Sequence, residues 1–542
     1  MTFQPARLAI TRRQYILAFI LLLTSLATLR AFSVTDYGAV SDGKTLCTRA
    51  IQNAIDACAA AGGGTVRLPA GTYLSGAIVL KSHVTLHIER GATLLGSPNP
   101  ADYPENPHSF PSRFTTEYGR CSLITAEKAE NVAIEGGGTI DGQGWGTEMK
   151  ALIGSIKAGK TKPGMRPLVL RFSECRNVKV RDITLKRSAF WMQNYLACEN
   201  VLIEGITVEN VGPTNTDGLD LDGCKNVRIA NCRIISRDDS LCLKSTSDRP
   251  CENVAVTHCV LSSRCNAIKC GTDSTGGFIN FSVADCVVTN SGCGIALELV
   301  DGGKMERVRI SNITMHTVAN PIFVRLGNRG RGQQQPTPGV LRNVTIRNVQ
   351  ARDVTNLTGC SITGLPGHPV EDITLDNIRI TFKGGGVRDD ALRDVPEWPE
   401  RYPEFFMFTP EGVEMFNNRE AGRLPAYGFW VRHARNVRFA HLDLRFAQPD
   451  ARPALFFDDA KDVKVSNLIA QSVAETPAVI WLRQTDSVLI ADRRPRGPAA
   501  AFVRVEGDCS RRVVLANNDL RNLARAIDQS PEVPQTAVEE RK

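Results

Sequence analysis

"NVRIANCRIISRDDSLCLKSTSDRPCENVAV" runs from Asn226 to Val256, and it opens and closes on one four-residue pattern: a polar residue, an aliphatic one, any residue, then an aliphatic one again. Outward from it, the pattern stands as NVKV at Asn177, NVLI at Asn200, NVRI at Asn226, NVAV at Asn253, NFSV at Asn280 and RVRI at Arg307, in steps of 23, 26, 27, 27 and 27 residues. Looser copies are NVAI at Asn131, NVTI at Asn343, DITL at Asp372, NVRF at Asn436 and DVKV at Asp462. A fixed period of about 20–50 residues marks a solenoid. The units alternate apolar and polar residues, as strands do, and the gaps are filled by the turn residues Gly, Asn, Asp and Ser. One such unit cannot bury its apolar face, whereas a stack of them builds a continuous core. The expected fold is therefore all-β: a single-stranded parallel β-helix, right-handed because parallel crossovers are right-handed by default.

Such a stack needs capped ends. In LCTRAIQNAIDACAA (Leu46–Ala60), Ala50, Ile51, Ala54, Ile55 and Cys58 fall on one helical face, so a short amphipathic helix is expected to cap the N-terminal end. Residues 383–430 break the rhythm with PEWPERYPEFFMF and read as a long loop packed on the flank. The domain expected is 32–530, with 531–542 polar and read as a disordered tail. Ahead of it, Arg7, Arg12 and Arg13 precede the apolar run Tyr15–Leu29, which is short for a membrane span and suits the core of a signal peptide over 1–31. TRRQYIL (Thr11–Leu17) resembles a twin-arginine export signal. The expectation is an exported chain, periplasmic or extracellular, with no membrane contact after signal removal.

The net charge of +8 falls to +4 once residues 1–31, with four arginines and no acids, are set aside. That is too weak to indicate nucleic acid. Sixteen cysteines in an exported chain invite disulfides, but Cys232, Cys259 and Cys286 are each 27 residues apart. They share one position on successive coils, where an interior ladder of small apolar side chains and a disulfide both fit.

The residues from Thr214 to Ser245 hold five aspartates: Asp217, Asp220, Asp222, Asp238 and Asp239. Asp217 and Asp238 are 21 residues apart, slightly less than one coil, and are expected nearly one above the other, with Asp239 alongside. Crowded carboxylates split their proton affinities. Two acids in opposite protonation states are what glycoside hydrolysis requires. Asp222 and Asp285 read as turn residues.

At these residues the chain resembles the family 28 glycoside hydrolases, the polygalacturonases and their relatives. NTD (Asn215–Asp217) followed by DD (Asp238–Asp239) is similar to the family's signature. FSVTDYGAVSDGKT, GGGTVRLPAGTY, GGGTIDGQGWG, RPLVLRFSECRNV, FWMQNYLACENV and LPAYGFWVRHARNV resemble further family segments in order, over about residues 32–490. The resemblance implies an inverting hydrolase of pectic polysaccharide, polygalacturonan or rhamnogalacturonan, acting as a monomer without cofactor or metal. It implies Asp238 as general acid, Asp217 and Asp239 as the residues that hold and deprotonate water, and Asn215 and Asp220 at the sugar.

The match departs from the family at two places. The Gly-His-Gly-type motif gives way to SSRCNAIKCGT (Ser262–Thr272), where Arg264 and Lys269 are the nearest cations. The Arg-Ile-Lys motif that grips a uronate gives way to GIALELVDGG (Gly294–Gly303), with Ala296 and Glu298 near the two cationic places. Lys244, Lys269 and, inside a strand-like run, Arg325 are the substitutes expected to bind substrate, with Arg329 and Arg331 nearby. Trp191 either stacks on sugar or packs in the flank. Two other readings stay open: a polysaccharide lyase using the aspartates for Ca²⁺, and a non-catalytic carbohydrate-binding β-helix.

Overall fold

The computed structural model describes residues 31–397, 399–400, 423–493, 496–520 and 523–541. The expected signal segment, apart from Ala31, and most of the Pro- and aromatic-rich stretch lie outside them. Three parallel ladders wind around one core, as the repeat requires. The first carries the repeated pattern, in strands such as Arg176–Arg181, Glu199–Glu204, Lys225–Ala230 and Cys251–Thr257. The second includes Thr207–Asn210, Arg233–Ser236 and Val260–Ser263. The third includes Gln193–Leu196, Leu219–Asp222, Leu241–Ser245 and Asn266–Ser274. The register pairs Val201 with Val227 and Val227 with Val254, so aliphatic side chains stack on their own kind inside the coil. This is the right-handed parallel β-helix expected from the period.

The leading Asn of each pattern has a specific cause. Asn131, Asn177, Asn200, Asn226, Asn253 and Asn280 all adopt left-handed backbone, with φ of 56–58°. Asn tolerates that conformation better than most residues with a side chain. Their amides then bond upward from coil to coil: Asn177 to Asn131 at 3.0 Å, Asn200 to Asn177 at 3.1 Å, Asn226 to Asn200 at 3.2 Å, Asn253 to Asn226 at 3.0 Å and Asn280 to Asn253 at 2.8 Å. One residue thus turns the corner and fixes the register.

The cap is a helix over Thr48–Ala60, with Ile51, Ala54, Ile55 and Cys58 buried against the first coils. Ala50, at the edge of that face, is only half-buried. Cys232, Cys259 and Cys286 are buried and free, as an interior ladder rather than disulfides. The C-terminal tail departs from its polar composition. Val538–Arg541 forms a strand paired in parallel with Arg511–Asn518, and Val533 and Ala537 are buried beneath it. Two or three apolar side chains suffice because an open ladder edge supplies the hydrogen bonds. Among the described residues no helix is long and apolar enough to cross a membrane.

Candidate active site

The aspartates gather where the second ladder turns into the third. Leu219 pairs with Leu241, an offset of 22 residues, and the Gly218 amide donates to the Asp239 carbonyl at 2.8 Å. Asp217 therefore lies under Asp239, not under Asp238 as the spacing of 21 had suggested. The tight corner between Ser236 and Leu241 takes up the missing residues and swings Asp238 toward the edge. Asp238 is half-buried there, whereas Asp217, Asp220 and Asp239 are buried.

Two lysines neutralise the buried acids. Lys244 Nζ lies 3.4 Å from Asp217, 3.2 Å from Asp220 and 3.8 Å from Asp239. Lys269 Nζ lies 3.1 Å from Asp239 and 3.7 Å from Glu298. The register explains the placing of Lys269: Asp220, Cys242, Lys269 and Ala296 form one column on successive coils. Lys244 rests over the Trp191 ring at 4.6 Å, and Trp191 itself stacks on Phe114 with centroids 5.1 Å apart. Trp191 is thus buried flank packing that supports a site cation.

Proton affinities split as crowding demands. Burial, with the neighbouring charges of Asp220 and Asp238, pushes the Asp217 carboxyl well up. Burial raises Asp220 to about 7 against the pull of Lys244. Burial and the Asp239 charge raise Asp238. Burial works against the Asp239 charge too, but Lys269, Lys244 and the Asn266 amide outweigh it and hold that carboxyl below the usual range. For Lys244, burial is outweighed by Cys242 and the three carboxylates, so its ammonium stays charged. Adjacent Asp238 and Asp239 thereby differ: one favours its proton, the other its charge.

The remaining sequence candidates divide. Asn215 is exposed beside the acids, and its amide donates to Asp238 Oδ2 at 3.2 Å. Arg264 is exposed at the rim, and among the described residues it forms no ion pair with the aspartates. Arg325 stands opposite Glu298 in register, one coil further on, and donates to the Glu397 carbonyl at 2.7 Å. Arg329 pairs with Asp301, and Arg331 lies 3.2 Å from Glu117. Glu298, near one of the two cationic places, is buried against Lys269. Asp222 accepts from the Thr246 amide at 2.9 Å and shapes a turn, as expected.

Three further residues beside the acids are not among the site residues expected from sequence. Arg166 is buried, donates to the Thr214 carbonyl and to Asn215 Oδ1 at 3.4 Å, and feels the charges of Asp217 and Asp238. Asn266 Nδ2 donates to Asp239 Oδ1 at 2.7 Å. Cys265 shares with Asp238 and Asp239 a group of ligand atoms within 4.8 Å of one another. A thiol in that set suits a soft cation rather than Ca²⁺, and the two lysines already neutralise the acids. Position arithmetic would have found Asn266, which is 27 residues after Asp239.

A solenoid of parallel coils with paired acids at a corner is the architecture of carbohydrate-active β-helices, and the chain belongs to one family of them. The family described as glycosyl hydrolases family 28 matches residues 58–397. Among curated relatives, a "Probable polygalacturonase" of Vitis vinifera is 36% identical over 224 residues, 40% of this chain and 44% of that protein. An "Exo-poly-alpha-D-galacturonosidase" of Dickeya chrysanthemi is 29% identical over 259 residues, 40% of this chain and 42% of that protein. The chain thus spans under half the length of these two relatives. Among solved structures, a hyperthermoactive exopolygalacturonase from Thermotoga maritima aligns with a TM-score of 0.56 and 26% identity, covering 65% of this chain and 87% of that one.

Proposed function

We propose that the chain hydrolyses glycosidic bonds in a pectic polysaccharide, polygalacturonan or rhamnogalacturonan, by inversion. The observation that carries this reading is the placing of the neighbouring acids: Asp238 stands half-buried at the edge, while Asp239 is buried against Lys269 and Lys244. Asp238, half-buried at the mouth, protonates the leaving oxygen. Asp239, held charged by Lys269 and Lys244, takes the proton from water, with Asp217 on the other side of Lys244 positioning that water. Asn215, held by Arg166, binds the sugar beside the acid, and Asp220 keeps Lys244 in place. Family membership and the activities for which the relatives are named support the substrate class. Export by the N-terminal segment and a monomeric state belong to the same reading.

Sugar release by purified protein tests it. Polygalacturonan and rhamnogalacturonan are compared side by side, with Asp238→Asn as control. General acid catalysis contributes about 10²–10⁴-fold, so the variant should lose that much while keeping its fold. A variant as active as the parent, or release accompanied by ultraviolet absorbance from a new double bond, would sink the reading.

A further inference from the structure

We propose that Arg237 and Arg264 form a two-arginine rim at the mouth of the site, binding carboxylates of an acidic sugar chain in place of the missing Arg-Lys grip. This rests on the pectic-hydrolase reading above and adds the group that selects acidic over esterified chains.

The two residues are brought together by the repeat. Ser236 pairs with Ser263 across the second ladder, so the next residues, Arg237 and Arg264, occupy one position on neighbouring coils. Rungs are about 4.8 Å apart, and two like charges at that spacing repel unless an anion lies between them. Both side chains are exposed. Among the described residues neither pairs with a carboxylate; Arg237 Nη1 only touches the Gly212 carbonyl at 3.3 Å.

Their location is the mouth. Arg237 immediately precedes Asp238, and Ser263, next to Arg264, donates its hydroxyl to the Asp238 carbonyl at 2.5 Å. Asn215, also exposed, donates its backbone N–H to the Asp238 carboxyl at 3.2 Å. The buried cations cannot serve an incoming uronate in the same way. Lys244 is held by three carboxylates, and Lys269 by Asp239 and Glu298. Releasing either would leave buried acids unpaired, which is strongly unfavourable. A guanidinium fork matches a carboxylate in two parallel hydrogen bonds, and two forks on adjacent rungs offer that match without any such loss.

The test is steady-state kinetics of Arg237→Ala, Arg264→Ala and the double variant on de-esterified and on highly methyl-esterified pectic chains of equal length. The double variant should raise KM on the de-esterified chain about tenfold or more, with a smaller change in kcat, and should lose the parent's preference for it. Arg→Lys at both positions should recover part of the preference, because charge returns without the fork. Thermal unfolding should show no change, as both side chains are exposed. An unchanged KM and preference in the double variant would overturn the rim while leaving the hydrolase reading intact. An equal loss on both chains would overturn it as well. A parent enzyme that cleaves neither chain removes the hydrolase reading, and the rim with it.

Discussion

The ammonium of Lys244 lies 3.2 Å from the carboxylate of Asp220, and both residues are buried. The same ammonium touches Asp217 and Asp239. It is the hub on which three acids depend for partial neutralisation. Lys244→Met keeps most of the length of the side chain but removes the ammonium that lies over Trp191. Breaking a buried pair costs about 3–5 kcal/mol, and Asp239 would lose one of the two lysines that hold it charged. The expected outcome is a loss of stability of that order by urea unfolding, together with at least a hundredfold fall in rate. A stable, active Lys244→Met enzyme would show that the acids are held apart by something else.

Asp220 ties stability to pH. Its carboxyl is raised from the ordinary value to about 7, chiefly by burial. The folded state thus favours the neutral acid. That contribution is fully present below about pH 4, the unfolded value, and is lost as pH rises through 7. Asp220→Asn stays neutral throughout. Relative to the parent, the variant should therefore gain stability between pH 4.5 and pH 8, by up to about 4 kcal/mol at 1.36 kcal/mol per pK unit. Urea unfolding at both values measures it, and an identical difference at the two pH values would contradict the assignment.

Most of the fold is readable from the aliphatic pairs of the repeat, because stacking like on like is a local rule that every coil repeats. The acids are readable too, since their number exceeds what turns need. Their exact register is not: the offset of 22 at Leu219 and Leu241 depends on how tightly the corner at Arg237–Ser240 turns, and that is a backbone property. The two lysines were expected to bind substrate, and the structure sets both against buried acids. That burial was not readable, because it comes from segments such as Ser112–Glu117 that are remote in sequence. The tail misled for a related reason. Its polar composition hides that a ladder edge awaits Val538–Arg541.

The asparagine ladder makes an ordered prediction. Asn226 has φ of 57°, donates to Asn200 at 3.2 Å and accepts from Asn253 at 3.0 Å. Asn226→Ala loses both bonds, each about 0.5–1.5 kcal/mol, and puts a Cβ residue without local hydrogen bonding into left-handed backbone, which costs about 1–2 kcal/mol. Asn226→Gly loses the bonds but not the conformation. Unfolding should rank the parent above Gly and Gly above Ala, with roughly 1 kcal/mol between the two variants. The reverse order of Gly and Ala would mean that the turn, rather than the ladder, tolerates any residue.

The cysteines can be counted. All sixteen are free, and only Cys509 is exposed. A thiol reagent should label one cysteine rapidly in the native protein and all sixteen after denaturation, with no increase on prior reduction. Stacks such as Cys232, Cys259 and Cys286 are buried inside the coil, where the reagent cannot reach. A count below sixteen in the unreduced, denatured protein would reveal disulfides between coils.

The stereochemistry of hydrolysis decides between two uses of the same acids. Asp238 and Asp239 place oxygens within 4.8 Å of each other, closer than the roughly 6.5–9.5 Å that leaves room for water in most inverting pairs. A nucleophilic Asp239 would give retention. Against that, Asp239 is engaged by Lys269, Lys244 and Asn266 at once, which stabilises its charge and lowers its readiness to form a covalent bond. Asp217 and Asp239 both face Lys244, so a water can sit against the two of them, aligned by that ammonium, and attack while Asp238 gives its proton. Proton NMR of the anomeric signals during the first minutes of reaction should show the anomer opposite to that of the substrate. Appearance of the same anomer first would assign Asp239 as nucleophile and leave Asp238 as acid and then base.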